Sequence, residues 1–165
     1  MERSAGILIY RRKDTGEVEV LLGKCGGPQW DKRFRGAWNI PKGHVEHDET
    51  DISTALREFK EETSLEVRIP RSVDEFLDLG TAKTASGKTV HIFAIEYDFN
   101  KDGYEVPISA NLVDTEWPKN SGRTIKVPEL SKAYYFTINK AKEIIFPYQR
   151  IFLERLADDL SKMKG

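Results

Sequence analysis

Apolar positions recur with two different periods along the chain, and each change of period predicts a new element. Residues 5–10 and 18–22 are apolar runs of strand length around the turn tripeptide Asp14-Thr15-Gly16, which predicts a hairpin. Residues 25–36 carry Gly26-Gly27-Pro28 and mixed charges and read as a loop, while 38–40 read as a short strand stopped by Pro41. From Asp51 to Thr63 the period becomes helical. Ile52, Ala55, Leu56 and Phe59 fall at i, i+3, i+4 and i+7, and Asp48, Glu49, Thr50 and Asp51 supply capping oxygens and negative charge at the helix start. Residues 76–81 and 89–99 predict strands around a turn at Ser86-Gly87. The stretch 100–128, punctuated by Pro107, Pro118, Gly122 and Pro128, reads as an insertion or long functional loop. Residues 133–138 predict a strand and 139–145 a short helix. A terminal helix over 148–160 follows from Ile151, Phe152, Leu156 and Leu160 at helical spacing. Hairpins and longer connections, with helices early and late, point to an α/β domain with a mixed sheet between helices, spanning 1–165 as a single unit.

Composition narrows the class without naming a chemistry. Hydrophobic residues at 39% and charged residues at 32% suit a globular chain rather than a disordered one. No apolar run approaches the ~18 residues of a membrane span, so no membrane partner is expected. The first apolar stretch is too short, and too soon followed by Arg11-Arg12-Lys13, to read as a secretory signal. A lone cysteine, Cys25, has no internal partner for a disulfide and fits a cytoplasmic location. The net charge of -1 gives no general attraction for a polyanion, so nucleic acid is not expected as a partner.

The segment 43–65 carries the chemistry. Glu58, Glu61 and Glu62 stand at i, i+3 and i+4, which puts three carboxylates on one helical face beside the apolar stripe. On an isolated helix such like charges cost a few tenths of a kcal/mol per pair. Glutamate is also a favoured surface residue of helices, so three glutamates alone are more often a solvated acidic face. A divalent cation reverses the repulsion, and Mg²⁺, with Mn²⁺ as a substitute, suits hard oxygen ligands while keeping sites for water and phosphate oxygens. Arg57, next to this face, is suited to a bidentate ion pair with a carboxylate.

The setting of these glutamates resembles the Nudix box. Gly43, Glu49, Arg57-Glu58, Phe59, Glu61-Glu62 and Leu65 meet that 23-residue pattern, and Ser64 stands where the family has glycine. The resemblance implies a Nudix α/β/α sandwich with a mixed central sheet, and a hydrolase acting on phosphoanhydrides. It implies Glu58, Glu61 and Glu62 as metal ligands with the carbonyl of Lys42, Glu58 also as the base that activates water, and Glu49 with Arg57 as the brace between loop and helix. Relatives recruit a further glutamate from a later loop. Glu129 is the first choice for it here, with Glu116 and Glu96 as alternatives. The glycine position suggests a helix end needing φ > 0, where serine costs up to ~1 kcal/mol.

Outside the box, Ser4-Ala5-Gly6 and the run Trp38-Asn39-Ile40-Pro41-Lys42-Gly43-His44-Val45-Glu46 resemble the diadenosine tetraphosphate hydrolase branch. Gly87-Lys88-Thr89-Val90-His91, Glu116-Trp117-Pro118, Ser121-Gly122-Arg123 and Phe152-Leu153 also resemble bacterial nucleoside triphosphate pyrophosphohydrolases. These resemblances imply a small nucleotide as substrate, with Lys42 and His44 as phosphate contacts. They favour a dinucleoside polyphosphate over a nucleoside triphosphate or an RNA 5′ end, and the full set of box carboxylates favours a catalyst over a ligand sensor on the same fold. Trp30, Trp38, Tyr104, Trp117, Tyr134 and Tyr135 offer flat surfaces for a base, with Tyr135 taken as a substrate contact, and Lys119, Arg123 and Lys126 offer charge for a phosphate chain.

Overall fold

A strand buried on both faces needs apolar residues at every position, and the first strand, β1 (Arg3–Arg12), is of this kind: Ala5, Ile7, Leu8 and Ile9 are all fully buried. The computed structural model describes residues 2–67 and 75–163. After β1 come β2 (Val18–Cys25), β3 (Trp38–Asn39), β4 (Lys42–His44), α1 (Asp51–Thr63), β5 (Leu77–Lys83), β6 (Thr89–Glu96) and β7 (Glu105–Val106). Then follow β8 (Leu112–Glu116), β9 (Thr124–Pro128), β10 (Leu130–Thr137), α2 (Ile138–Ile144), a 3-10 turn at Pro147–Gln149 and α3 (Arg150–Met163).

The main sheet runs β5-β6-β1-β2-β10-β7, with β3 paired to β2 and β4 to β1. It is mixed, since β1 pairs with β6 in parallel and with β2 and β4 antiparallel. Alternate residues of β1 serve two cores. Ala5, Ile7 and Ile9 pack with Ala55 and Phe59 of α1, while Leu8 and Tyr10 pack with Ala141 and Ile144 of α2 and Phe152 and Leu156 of α3. The result is a sandwich with α1 on one face and α2 and α3 on the other. Among the described residues no helix is long and apolar enough to cross a membrane.

Both ends of α1 are set by local chemistry. Thr50 accepts from the Ser53 N–H at 3.2 Å and Ser53 Oγ accepts from the Thr50 N–H at 3.1 Å, so a serine fills the reciprocal half of the capping box. At the other end Ser64 adopts φ 62° and ψ 13°, and its N–H donates to the Lys60 carbonyl. This is the left-handed turn that the glycine of the Nudix pattern implies. Serine holds it with help from its own hydroxyl, which donates to the Ser109 carbonyl.

Two stretches differ from the sequence reading. Residues 42–44 form β4, a strand made by pairing Lys42 with Gly6, Gly43 with Ala5 and His44 with Ser4 rather than by any β-propensity of its own. The stretch 100–128 contains β7 and a second sheet, the hairpin β8–β9, in which Leu112 pairs with Pro128 and Glu116 with Thr124. Its backbone is tied to the end of α1: Asn111 N–H donates to the Glu61 carbonyl and Ser109 N–H to the Thr63 carbonyl.

Candidate active site

The pairing of β4 with β1 delivers Gly43 to the acidic face of α1. A Cβ at Gly43 would lie 1.9 Å from the carboxyl carbon of Glu58, so the glycine is the cradle in which that carboxylate rests. Gly6, the partner of Lys42 in the same strand pair, is equally confined: a Cβ there would meet the Pro41 carbonyl oxygen at 2.3 Å and Lys42 Cβ at 2.7 Å. The strand pair is therefore built to bring backbone, not side chains, up to the carboxylates.

Arg57 organises what surrounds them. Its guanidinium makes two bonds to Glu49, Nε to Oε2 at 2.8 Å and Nη2 to Oε1 at 2.9 Å. It also reaches Glu58 at 3.0 Å, Glu61 at 3.2 Å and the His44 carbonyl at 3.1 Å. Bonds of this kind are roughly twice as strong as neutral ones. Glu49 in turn accepts from the Glu46 N–H and the Thr54 hydroxyl, each at 2.9 Å. The Arg57 bonds, followed by the Glu46 amide, draw the Glu49 carboxyl down to about 2. One ion pair thus joins the 44–49 loop to the middle of α1.

The carboxylates of α1 lie in graded exposure. Glu61 is 42% exposed, Glu58 15%, and Glu62 is buried at 5%. Burial raises Glu58, against the pull of Arg57. Burial, and then the charge of Glu129, pushes Glu62 up to about 9. Glu62 Oε2 is buried without a hydrogen-bond partner. The Glu129 backbone is pinned on both sides, its N–H donating to Asn111 and its carbonyl accepting from Gly26. Glu62 and Glu129 share the wall of a cleft of about 280 Å³ with Lys42, Asn39, Gln29 and Trp30. The hairpin closes one side of it through Val113, Thr115 and Val127.

The carboxylates of Glu62 and Glu129 in this wall offer a cation hard oxygen donors. Among the described residues no three His, Cys, Asp or Glu side chains already converge as a finished cage. Buried Glu62 with its unpartnered oxygen, facing Glu129, fits a divalent ion that is bound by a few carboxylates and completed by water.

The structure brings Glu49, Arg57, Glu58, Glu61, Glu62, Glu129 and Lys42 to one region and places other candidates elsewhere. Tyr135 is not a substrate contact. It is 1% exposed, its hydroxyl donates to the Tyr97 carbonyl and accepts from the Phe99 N–H, and the Arg11 guanidinium covers its ring at 3.8 Å. Trp38 is likewise core at 1% exposure. His44 is exposed, and its carbonyl accepts from Arg57. Glu96 pairs with Arg12, and Glu116 accepts from the N–H groups of Asn120 and Gly122 to close the hairpin turn, so neither reaches the cleft. Lys126 is paired with Asp114 at 3.0 Å. Gln29, Asn39 and Cys25 line the cleft without having been singled out as substrate contacts. Burial raises the Cys25 thiol, and Asn39 donates to its sulfur at 3.2 Å, which makes it an inert wall rather than a nucleophile.

The NUDIX domain family model matches residues 1–155. The chain belongs to the NUDIX family. Over 69 residues it is 38% identical to the asymmetrical bis(5'-nucleosyl)-tetraphosphatase of Mus musculus, a match covering 39% of this chain and 43% of the mouse protein. The match to the mutator protein MutT4 of Mycobacterium tuberculosis covers 25% of that protein, so this NUDIX chain spans less than half of these curated relatives. A longer match, 30% identical over 133 residues, covers 69% of the chain and 83% of an uncharacterised 17.7 kDa protein of Enterobacteria phage T4. In fold it is similar to the C. elegans Ap4A hydrolase in a binary complex, with a TM-score of 0.62, 21% identity, and 98% and 99% of the two chains covered. The NUDIX domain of Shewanella oneidensis NrtR bound to ADP ribose gives a TM-score of 0.60 at 15% identity, covering 96% of this chain and 87% of that one.

Proposed function

We propose that this NUDIX chain hydrolyses a phosphoanhydride bond of a dinucleoside polyphosphate, such as diadenosine tetraphosphate, to ATP and AMP with a divalent cation. The observation that carries the reading is Glu62. A carboxyl buried without a partner and set against a second carboxyl is costly for the protein alone, and a cation held by Glu62 would offset that cost. Glu58, Glu61 and Glu62 through their carboxylates, with Lys42 through its carbonyl, supply the oxygen-only set that Mg²⁺ or Mn²⁺ takes. When bound, such an ion lowers the pKa of water and draws charge from phosphate oxygens.

The chain's own residues position and transfer. Arg57, anchored on Glu49, donates to both Glu58 and Glu61 and so keeps the two carboxylates oriented. Glu58, expected from the resemblance as the base, is held by Arg57, whereas Glu129 makes no ion pair among the described residues and has a pinned backbone, so Glu129 takes the proton from the attacking water in its place. Lys42 places a cation in the same cleft for the phosphate chain. Trp30, with Gln29 and Asn39 beside it, forms the wall for one nucleoside. The names of the mouse and nematode relatives supply the class of substrate, and the retained carboxylates argue for a catalyst over a sensor.

The test is incubation of the purified protein with diadenosine tetraphosphate, ATP or ADP-ribose and Mg²⁺ or Mn²⁺, with products separated by anion exchange. ATP and AMP in equal amounts from the first substrate are expected. Two ADP, or faster release of pyrophosphate from ATP, would replace the substrate assignment. No cleavage of any of the three would remove the reaction.

A further inference from the structure

We propose that the cleft-facing side of the β8–β9 hairpin is a second nucleotide subsite, in which Trp117 stacks on the far base of a long substrate and Arg123 binds a far phosphate. This deepens, and rests on, the dinucleoside polyphosphate reading.

Strand parity assigns the residues. In an antiparallel pair, directly opposed residues share a face and the next pair points the other way. Val113 opposes Val127 and Thr115 opposes Ile125, and Val113, Thr115 and Val127 line the cleft beside Glu62 and Glu129. On β8 burial follows the same alternation, with Val113 and Thr115 half-buried between exposed Leu112, Asp114 and Glu116. Trp117, whose N–H donates to the Arg123 carbonyl at 2.9 Å, extends the ladder by one pair. Trp117 and Arg123 therefore continue the face that begins at the carboxylates.

That face changes character as it leaves the cleft. Ile125 and Trp117 are each 37% exposed, large apolar surfaces on the side turned toward the site. Arg123 is exposed and makes no ion pair among the described residues. The opposite face is already satisfied: Lys126 is paired with Asp114, and Glu116 accepts from two amides of the turn. The hairpin thus separates its cations by parity, with Lys126 spent outward and Arg123 turned inward. From Val113 to Trp117 is four residues, roughly 13 Å at strand rise. A polyphosphate bridge starting at Glu62 and Glu129 runs along this face, and a single mononucleotide held at the carboxylates does not reach its end. An indole beside a free guanidinium is chemistry for a base and its phosphate.

The test compares Trp117→Ala, Arg123→Ala and Arg123→Lys with Lys126→Ala, the outward lysine, as the control. KM for diadenosine tetraphosphate is expected to rise tenfold or more in the alanine variants, with kcat within twofold of wild type and partial recovery in Arg123→Lys. Lys126→Ala is expected to stay at wild-type values. Calorimetry in a Glu62→Gln background separates this inference from the reaction. There Trp117→Ala should weaken diadenosine tetraphosphate and spare AMP, a result that upholds the subsite even if no dinucleotide is cleaved. Equal effects of Arg123→Ala and Lys126→Ala, or equal weakening of AMP and the dinucleotide, would overturn it.

Discussion

Gly43→Ala adds one methyl group at the point where backbone and catalytic carboxylate meet. Gly43 does not sit in the left-handed region, so alanine brings no backbone strain and the change is purely steric. The new Cβ would stand 1.9 Å from Glu58 Cδ, 2.2 Å from Oε2 and 2.3 Å from Oε1. Ordinary contact begins near 3.4 Å, so the carboxylate must retreat by at least about 1.5 Å. Arg57 holds Glu58 on the side from which it would retreat, and Phe59 beside it is locked in the core, so helix and strand cannot simply part. A misplacement of ~1 Å at a reacting group costs on the order of 100-fold in rate. The expected result is a fall in kcat of about that size, with KM for the nucleotide changed by less than threefold and a thermal midpoint within a few degrees of wild type. Steady-state kinetics at saturating Mg²⁺ and a thermal melt on the same sample measure both. A Gly43→Ala enzyme with kcat within threefold of wild type would refute the placement of Glu58 against this glycine as a requirement of the chemistry.

Other outcomes follow from the same contacts. Glu62 rises from 4.5 to about 9 in the fold, so the folded state binds the extra proton, and that stability is complete below pH ~4.5 and lost as pH rises to ~9. The metal-free protein should lose thermal stability across this window, by roughly 6 kcal/mol at most. Glu62→Gln should flatten the profile, and an equally steep profile in that variant would reassign the titration. Glu61→Gln is expected to lower turnover at least tenfold with the fold intact, as read by circular dichroism, and near wild-type turnover at saturating Mg²⁺ would remove it from the ligand set. Arg57→Lys keeps the charge but loses the two-pronged hold on Glu49 together with the reach to Glu58 and the His44 carbonyl. A fall in kcat of tenfold or more is expected, and unchanged kinetics would show that a point charge suffices.

The central helix was legible because its information is local. Asp51–Thr63 carries its apolar stripe within the segment and its N-cap, Thr50, directly before it, and Ser64 stands where the pattern implies a left-handed turn. What depended on distant partners was not. Lys42–His44 carries no strand signal and is a strand only because the start of β1 pairs with it. In the hairpin, prolines and Gly122 masked two five-residue strands that, among the described residues, pair with each other alone. Tyr135 shows a different limit. The alternation in β10 says that Tyr134 and Tyr135 face opposite ways, but which of them meets α1 is decided by the whole sheet, and Tyr135 is the one in the core. Glu129 could be shortlisted from its place before β10, yet its approach to Glu62 is made by the hairpin folding back on the end of α1.

The most direct test of a cation-dependent site at Glu62 is one continuous assay of diadenosine tetraphosphate cleavage. Mg²⁺ is supplied, removed with a chelator and restored, for wild type and Glu62→Gln side by side. Wild type is expected to start, stop and resume without loss of helical circular dichroism, while Glu62→Gln stays at least 100-fold slower at every Mg²⁺ concentration. Cleavage that continues through chelation, or a Glu62→Gln enzyme as fast as wild type, would contradict the site.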